Sequence, residues 1–200
     1  MKINDIYKVS FTICLLAFLV SCNSQSTADN SKAKAESTSK AKTVATNTKT
    51  VSPANSGNVG NIPVYDFESF EPLLHINNDT TYIVNFWATW CKPCVAELPY
   101  FEQLHENYKN EKVKVLLVSL DFSSVIEKKL IPFINKRNLK PEVVVLDDPN
   151  SNKWIDKVDP EWSGAIPATV IYQGKKRGFF ERSFEKYEDL VEVMEGVLKQ

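Results

Sequence analysis

The sequence predicts an α/β domain, with a central mixed sheet flanked by helices. Three observations carry this reading. The run from Tyr82 to Trp87 is apolar but for Asn85 and, with Thr81 before it, rich in β-branched and aromatic residues, the pattern of a buried strand. Strand and helix patterns then alternate as β-α-β-α-β-α-β-β-α, which builds parallel β-α-β units. The last two strands are joined by Gln173-Gly174-Lys175-Lys176, a hairpin turn, before a closing helix.

Each element has its own signal. Ile62-Pro63-Val64-Tyr65 reads as a short edge strand, because Pro63 has no N–H to give to the centre of a ladder. Phe67, Phe70, Leu73 and Leu74 make a helical pattern that Pro72 keeps short. Asn77-Asn78-Asp79 is a turn, and the central strand follows. A long helix runs from Cys91 to about Asn110, with Leu98, Phe101, Leu104 and Tyr108 on its apolar face. Pro93 falls in its first turn, where a missing N–H costs nothing. Pro99 lies further in, removes the bond to the Val95 carbonyl, and predicts a kink. Val113 to Leu120 is a second buried strand. Val125 to Asn138 is a helix with Ile126, Leu130, Phe133 and Ile134 inward and Pro132 disturbing it. Val143 to Leu146 is a third strand, Ser151 to Val158 a short helix, Ala168 to Tyr172 a fourth strand and Arg177 to Arg182 the returning one. Leu190, Val193, Met194 and Val197 face inward from a helix over Phe184 to Leu198.

The ends differ from this domain. Residues 1–21 read as a signal peptide: Lys2 and Lys8 precede an apolar run, Phe11 to Val20, too short to span a bilayer comfortably. The run ends in Leu19-Val20-Ser21-Cys22, which resembles the lipobox of bacterial lipoproteins. That resemblance implies cleavage before Cys22 and lipidation there, an anchor of more than one acyl chain; plain secretion is the alternative. Residues 22–61 are rich in Ser, Thr, Asn, Ala and Lys with almost no large apolar side chain, and read as a disordered tether. The folded domain is then 62–200.

Cys91-Lys92-Pro93-Cys94 sits between the central strand and the long helix, the place of a redox pair. Two residues three apart on a helix lie about 5–6 Å apart at Cβ, from which a small adjustment permits a disulfide. Cys91 is placed where the helix begins; free N–H groups and the helix dipole favour a thiolate there. It is the sulfur placed to attack, and Cys94, one turn in and better shielded, the one placed to resolve. A structural disulfide is the alternative, but a bridge across so short a loop adds little stability. Lys92 reads equally as a source of positive potential and as a solvated charge, and Pro93 as a stiffener of the turn or a plain helix starter. Glu97, one turn past Cys94, is placed to shuttle the resolving thiol's proton if it is buried, or to sit in an ordinary ion pair if it is not.

The run Phe86-Trp87-Ala88-Thr89-Trp90-Cys91-Lys92-Pro93-Cys94 resembles the active-site signature of thioredoxin-fold proteins, and most of all the membrane-tethered TlpA/ResA-like thiol–disulfide oxidoreductases. Glu97-Leu98-Pro99 follows the cysteines as in that group. Gly164-Ala165-Ile166-Pro167-Ala168-Thr169 resembles its cis-proline loop, and the helix and strand over about Val125 to Leu146 match its insertion. The resemblance covers 62–200 and implies a thioredoxin-like fold. It further implies a cis Pro167 against the cysteine pair, an Ile166 backbone that pairs with a partner segment, and a Trp90 on the apolar rim where that partner docks. Trp154 and Trp162 read as packing, Trp162 near the proline loop, while Trp87 reads equally as part of that rim or as plain core. A buried Asp common in thioredoxins is replaced here by Asn85, which leaves Glu97 to handle the proton.

The implied activity is extracytoplasmic disulfide exchange on exported proteins, cytochrome c apoproteins among them, with electrons from a membrane donor. No cofactor is expected beyond the Cys91–Cys94 pair. With 24 basic and 25 acidic residues, nothing points to nucleic acid, and Lys175-Lys176-Arg177 reads as a solvated hairpin tip. His75 and His105 stand alone, so no metal is expected. Two alternatives compete. A thioredoxin-like peroxidase requires Thr or Ser three residues before its reactive Cys, where Ala88 stands, with Thr89 one place off. A metal-delivery lipoprotein calls for wider cysteine spacing and a suitably placed His.

Overall fold

A computed structural model describes residues 57–200. The expected signal peptide, Cys22 and the expected tether as far as residue 56 lie outside the described residues. Seven strands form one mixed sheet: β1 (Gly57–Val59), β2 (Ile62–Tyr65), β3 (Thr81–Trp87), β4 (Val113–Ser119), β5 (Glu142–Leu146), β6 (Ala168–Gln173) and β7 (Lys176–Phe180), in the order β1-β2-β5-β4-β3-β6-β7. β2, β5, β4 and β3 run parallel, β6 returns antiparallel to β3, and β7, antiparallel to β6, runs with β3 again. β3 is buried at every position, Thr81 and Asn85 included, as its largely apolar run suggests.

Helices cover both faces. α2 (Lys92–Asn107), α3 (Ile131–Arg137) and α5 (Tyr187–Leu198) pack on Ile83, Trp87, Leu117 and Ile171. On the other face α1 (Phe67–Phe70) and α4 (Ile155–Val158) cover Val84, Phe86, Val118 and Val170 with a cluster of aromatic rings that includes Trp154 and Trp162. This topology positions the site. The carboxyl ends of β3, β4 and β5 share one edge of the sheet, and antiparallel β6 begins at that same edge, Ala168 standing opposite Phe86. Loops from four distant segments therefore meet there, as ligand sites in open α/β sheets do.

Several sequence expectations change. A strand lies inside the stretch expected to be tether: Gly57–Val59 pairs with β2 across a tight turn at Gly60, whose φ of 62° suits glycine. Ladder hydrogen bonds form this strand, and composition does not reveal them. β2 is accordingly not an edge strand. Pro63 is tolerated because β5 registers only with Val64 and Tyr65. The helix expected over Val125 to Asn138 is three windings, a 3₁₀ turn (Ser123–Val125), a π-turn (Ile126–Leu130) and α3, with Pro132 in the first turn of α3. α2 runs on through Pro99, and Arg137 Nη1 reaches the Val95 carbonyl at 3.5 Å, the one that Pro99 leaves without its helical donor.

The hairpin cations are also not a solvated tip. Only Lys175 is exposed. Lys176 Nζ donates to the Leu198 carbonyl oxygen at the C-terminal end of α5, where a cation is favoured. Arg177 turns under the sheet and donates from Nη1 to Leu74 O at 3.1 Å and from Nη2 to Val158 O at 2.7 Å, with its guanidinium 5.9 Å from the Tyr172 ring centroid. It joins the segments after α1 and at the end of α4. Arg177→Met keeps the apolar stem and removes both donors; urea denaturation is expected to show a loss of about 2–3 kcal/mol, the worth of charge-assisted bonds to buried carbonyls.

Candidate active site

Cys91 has extended backbone (φ −86°, ψ 101°) and caps α2. Its Sγ accepts the Cys94 N–H at 3.3 Å, and its carbonyl accepts the Val95 N–H at 3.0 Å. One of the orphan donors of a helix start is thus aimed at the sulfur, the arrangement that lowers a thiol pKa. Cys91 and Cys94 form a disulfide with Cα atoms 5.3 Å apart. Cys94 is fully buried and Cys91 is 6% exposed, so the Cys91 sulfur is less open than its place at a helix end suggests. Lys92 and Pro93 lie exposed between them.

The proline loop closes the site. The Ile166–Pro167 bond is cis, and the Ile166 carbonyl oxygen stands 3.7 Å from Cys91 Sγ. Gly164, at φ 91°, makes the turn into this loop, and Trp162 Nε1 donates to Ala165 O at 2.8 Å. The Glu181 carboxylate accepts the Ser163 and Ala165 N–H groups at 3.0 and 3.2 Å. These bonds hold Ile166 beside the sulfur with its backbone facing the site.

Beneath the disulfide lies a buried polar chain. Glu97, only 1% exposed, accepts from Asn85 Nδ2 at 3.1 Å and from the Phe184 N–H at 2.8 Å. Asn85 Nδ2 also donates to Thr169 Oγ1 at 3.1 Å, directly across the β3–β6 ladder. Burial pushes the Glu97 carboxyl up to about 7, although both amide donors and the charge of Arg182 pull the other way. The residue therefore takes the buried alternative, and it titrates in the neutral range.

Sequence reading missed Asp121. It is 1% exposed at the carboxyl end of β4, and its carboxylate accepts Thr89 N–H at 2.9 Å, Thr89 Oγ1–H at 2.6 Å and Ser119 Oγ–H at 2.8 Å. Thr89 and Trp90 are the middle of a turn closed by Cys91 N to Ala88 O at 3.1 Å. The available signal was positional, since residues just past a parallel strand lie at the edge where sites form. Trp90 is 62% exposed and Phe122 is 69% exposed; together they border a cavity of about 350 Å³ that reaches Gly164. Trp154 and Trp162 are buried, as expected of packing residues, and Trp87 is buried too, so of its two readings the structure takes the core. Among the described residues no three His, Cys, Asp or Glu side chains gather as metal ligands, and no helix is long and apolar enough to cross a membrane.

Residues 72–177 match the AhpC/TSA family. The chain is similar to thiol–disulfide oxidoreductase ResA of Oceanobacillus iheyensis, 45% identical over 49 residues, which are 24% of this chain and 26% of that protein. It is likewise similar to ResA of Bacillus thuringiensis, 37% identical over 62 residues, which are 31% of this chain and 34% of that one. The similarity thus spans only about a quarter to a third of the length of these curated relatives. Among solved structures, a thioredoxin-family thiol:disulfide interchange protein from Chlorobium tepidum superposes with a TM-score of 0.51 at 18% identity, covering 64% of this chain and 84% of that one. A secreted thiol-disulfide isomerase from Corynebacterium glutamicum gives 0.50 at 19% identity, over 62% and 73%. The fold is thioredoxin-like, with the inserted strand β5 lying between β4 and β2.

The raised Glu97 pKa makes stability depend on pH. Below about 4.5 the carboxyl is protonated whether folded or unfolded, and nothing is lost. Between 4.5 and about 7 only the folded chain holds the proton, so stability falls as pH rises; above 7 the loss is complete. The oxidised protein is expected to lose about 3 kcal/mol between pH 4.5 and 8 relative to Glu97→Gln, by urea denaturation across that range.

Proposed function

The chain belongs to the AhpC/TSA family, and from that premise we propose that it is an extracytoplasmic thiol–disulfide oxidoreductase that reduces disulfides of exported proteins through Cys91 and Cys94. The observation that carries this reading is the Cys94 N–H directed at Cys91 Sγ at the head of α2, with the second sulfur sealed beneath it. In the reduced protein the Cys91 thiolate attacks one sulfur of the partner's disulfide. That S–S bond breaks, a mixed disulfide forms, and the released thiolate takes a proton from water. The Cys94 thiol then passes its proton to Glu97 and attacks Cys91 Sγ; the partner's second sulfur leaves as a thiolate. The partner gains two electrons and Cys91–Cys94 is oxidised, to be reset by a dithiol donor at the membrane. Ile166 supplies a backbone carbonyl to an extended partner segment, Pro167 closes the loop against the disulfide, Trp90 forms part of the docking rim, and Lys92 and Pro93 border it.

Cytochrome c apoproteins are one such substrate, and lipid on Cys22 holds the domain at the membrane. The peroxidase alternative gains no support from the site, because Ala88, three residues before Cys91, is buried and carries no hydroxyl. The reading is tested with insulin as the disulfide and dithiothreitol as electron source. Wild type is expected to turn over, Cys91→Ala to fall to background, and Cys94→Ala to accumulate a mixed disulfide on non-reducing gels. Glu97→Gln is expected to prolong the mixed disulfide by about a hundredfold, the lower end of what a positioned base contributes. Peroxide turnover without any mixed disulfide in Cys94→Ala would overturn the proposal.

A further inference from the structure

The two exposed large apolar side chains among the described residues, Trp90 and Phe122, lie on different loops yet border one cavity. Each directly follows one member of a hydrogen-bonded pair. Thr89 precedes Trp90, Asp121 precedes Phe122, and the Asp121 carboxylate takes both the N–H (2.9 Å) and the hydroxyl (2.6 Å) of Thr89. Ser119 Oγ, 2.8 Å from the same carboxylate, fixes Asp121 to the end of β4. Both carboxylate oxygens are therefore engaged, and the carboxylate is buried. It is spent on setting one loop against the other.

The cavity has an apolar floor of Leu120, Leu146, Trp154 and Trp162 and opens beside the loop that places Ile166 over Cys91. Asp147 and Asp148 also line it, and no cationic side chain does. We infer that Asp121, acting through Thr89, is a positioning residue that presents Trp90 and Phe122 as one aromatic rim. This rim grips an extended segment of a disulfide-bearing protein that carries a large apolar side chain, with a Lys or Arg beside it, next to the reactive cysteine. The inference rests on the exchange reading above and adds to it a partner chemistry. A chain bound at Cys91 runs past the cavity mouth, so a neighbouring apolar residue reaches the floor while a basic one meets the negative charge of Asp147 and of Asp148, whose oxygens also accept the Phe67 and Asn150 N–H groups. Desolvating one large apolar side chain is worth about a factor of ten or more.

The test uses the reduced full chain and peptides whose single cysteine is disulfide-linked to thionitrobenzoate. The Cys91 thiolate bonds to the peptide sulfur, and thionitrobenzoate, the better leaving thiolate, departs and is read by its absorbance. Wild type is expected to react about tenfold faster with a peptide bearing Leu-Lys after the cysteine than with Ser-Lys. It is also expected to react about threefold faster with Leu-Lys than with Leu-Glu, a preference that fades in high salt. In Trp90→Ala, Phe122→Ala and Asp121→Asn the Leu/Ser ratio is expected to fall to within about twofold of one. Thr89→Val should behave as Asp121→Asn does, Thr89→Ser should restore the ratio, and the Thr89/Asp121 double variant should be no worse than either single one. Hydrogen exchange adds a readout independent of turnover: in Asp121→Asn the Thr89 amide should exchange faster while the β3 amides stay slow. Equal wild-type rates for Leu and Ser, no preference for Lys, or a full Leu/Ser ratio retained in Asp121→Asn would each overturn the inference and leave disulfide exchange standing. Failure of wild type to react with any peptide would instead overturn the exchange reading itself.

Discussion

A single hydrogen bond governs the site, the one from the Cys94 amide to Cys91 Sγ. It exists only if α2 begins immediately after Cys91, and the fold enforces that start from both sides. Upstream, β3 is locked between β4 and β6, and Asp121 ties down the turn that leaves it. Downstream, Pro93 favours the first turn of a helix, where its missing N–H leaves no bond unmade. Between those limits the chain delivers a sulfur to the one place in a helix where backbone donors lack carbonyl partners. A serine there would serve as an ordinary cap; a cysteine turns the same geometry toward a stabilised thiolate.

The buried polar chain beneath the disulfide follows from the same placement. Glu97 faces the sheet because it is one helical turn from buried Cys94, and the residue it meets is Asn85. An Asp at 85 would set two carboxylates within hydrogen-bonding distance, and their repulsion would raise the pKa of one of them strongly. Asn85 instead gives its N–H groups to Glu97 and Thr169. Its Oδ1 is left buried without a partner, a cost of about 1–3 kcal/mol. The titrating group thus stands on the helix and not on the sheet, and burial above all brings it into the neutral range.

How much of this is visible in the sequence depends on the range of the interaction. The strand-turn-helix around Cys91 is local, and β-branched spacing, a proline and two cysteines reveal it. The proline loop became legible through resemblance, since six residues suffice to match it. β1 was hidden because Gly57, Asn58 and Val59 become a strand only once β2 lies beside them. Arg177 looked like part of a solvated cluster because its carbonyl partners, Leu74 and Val158, are far away in sequence. Asp121 was missed for the same reason: its meaning comes from Thr89, 32 residues earlier. Periodicity sees faces of elements, whereas these bonds join the ends of elements, where no period applies.

That distinction also separates two tasks within the site. The sulfurs and Glu97 stand on α2, and their spacing is set by helix geometry. The surfaces a partner would touch, Trp90, Phe122 and Ile166, stand on loops that meet only because β3, β4 and β6 end or begin at one edge of the sheet. Loops of this kind tolerate substitution, whereas a helix start at the centre of a buried sheet does not. Choice of partner can therefore change by altering rim residues while the sulfur geometry stays intact. The exception is Asp121, buried like a core residue yet bonded only to loop and strand-end groups. Any change there reaches the rim and the turn before Cys91 together, so in the proposed exchange it is the position where docking and chemistry are least separable.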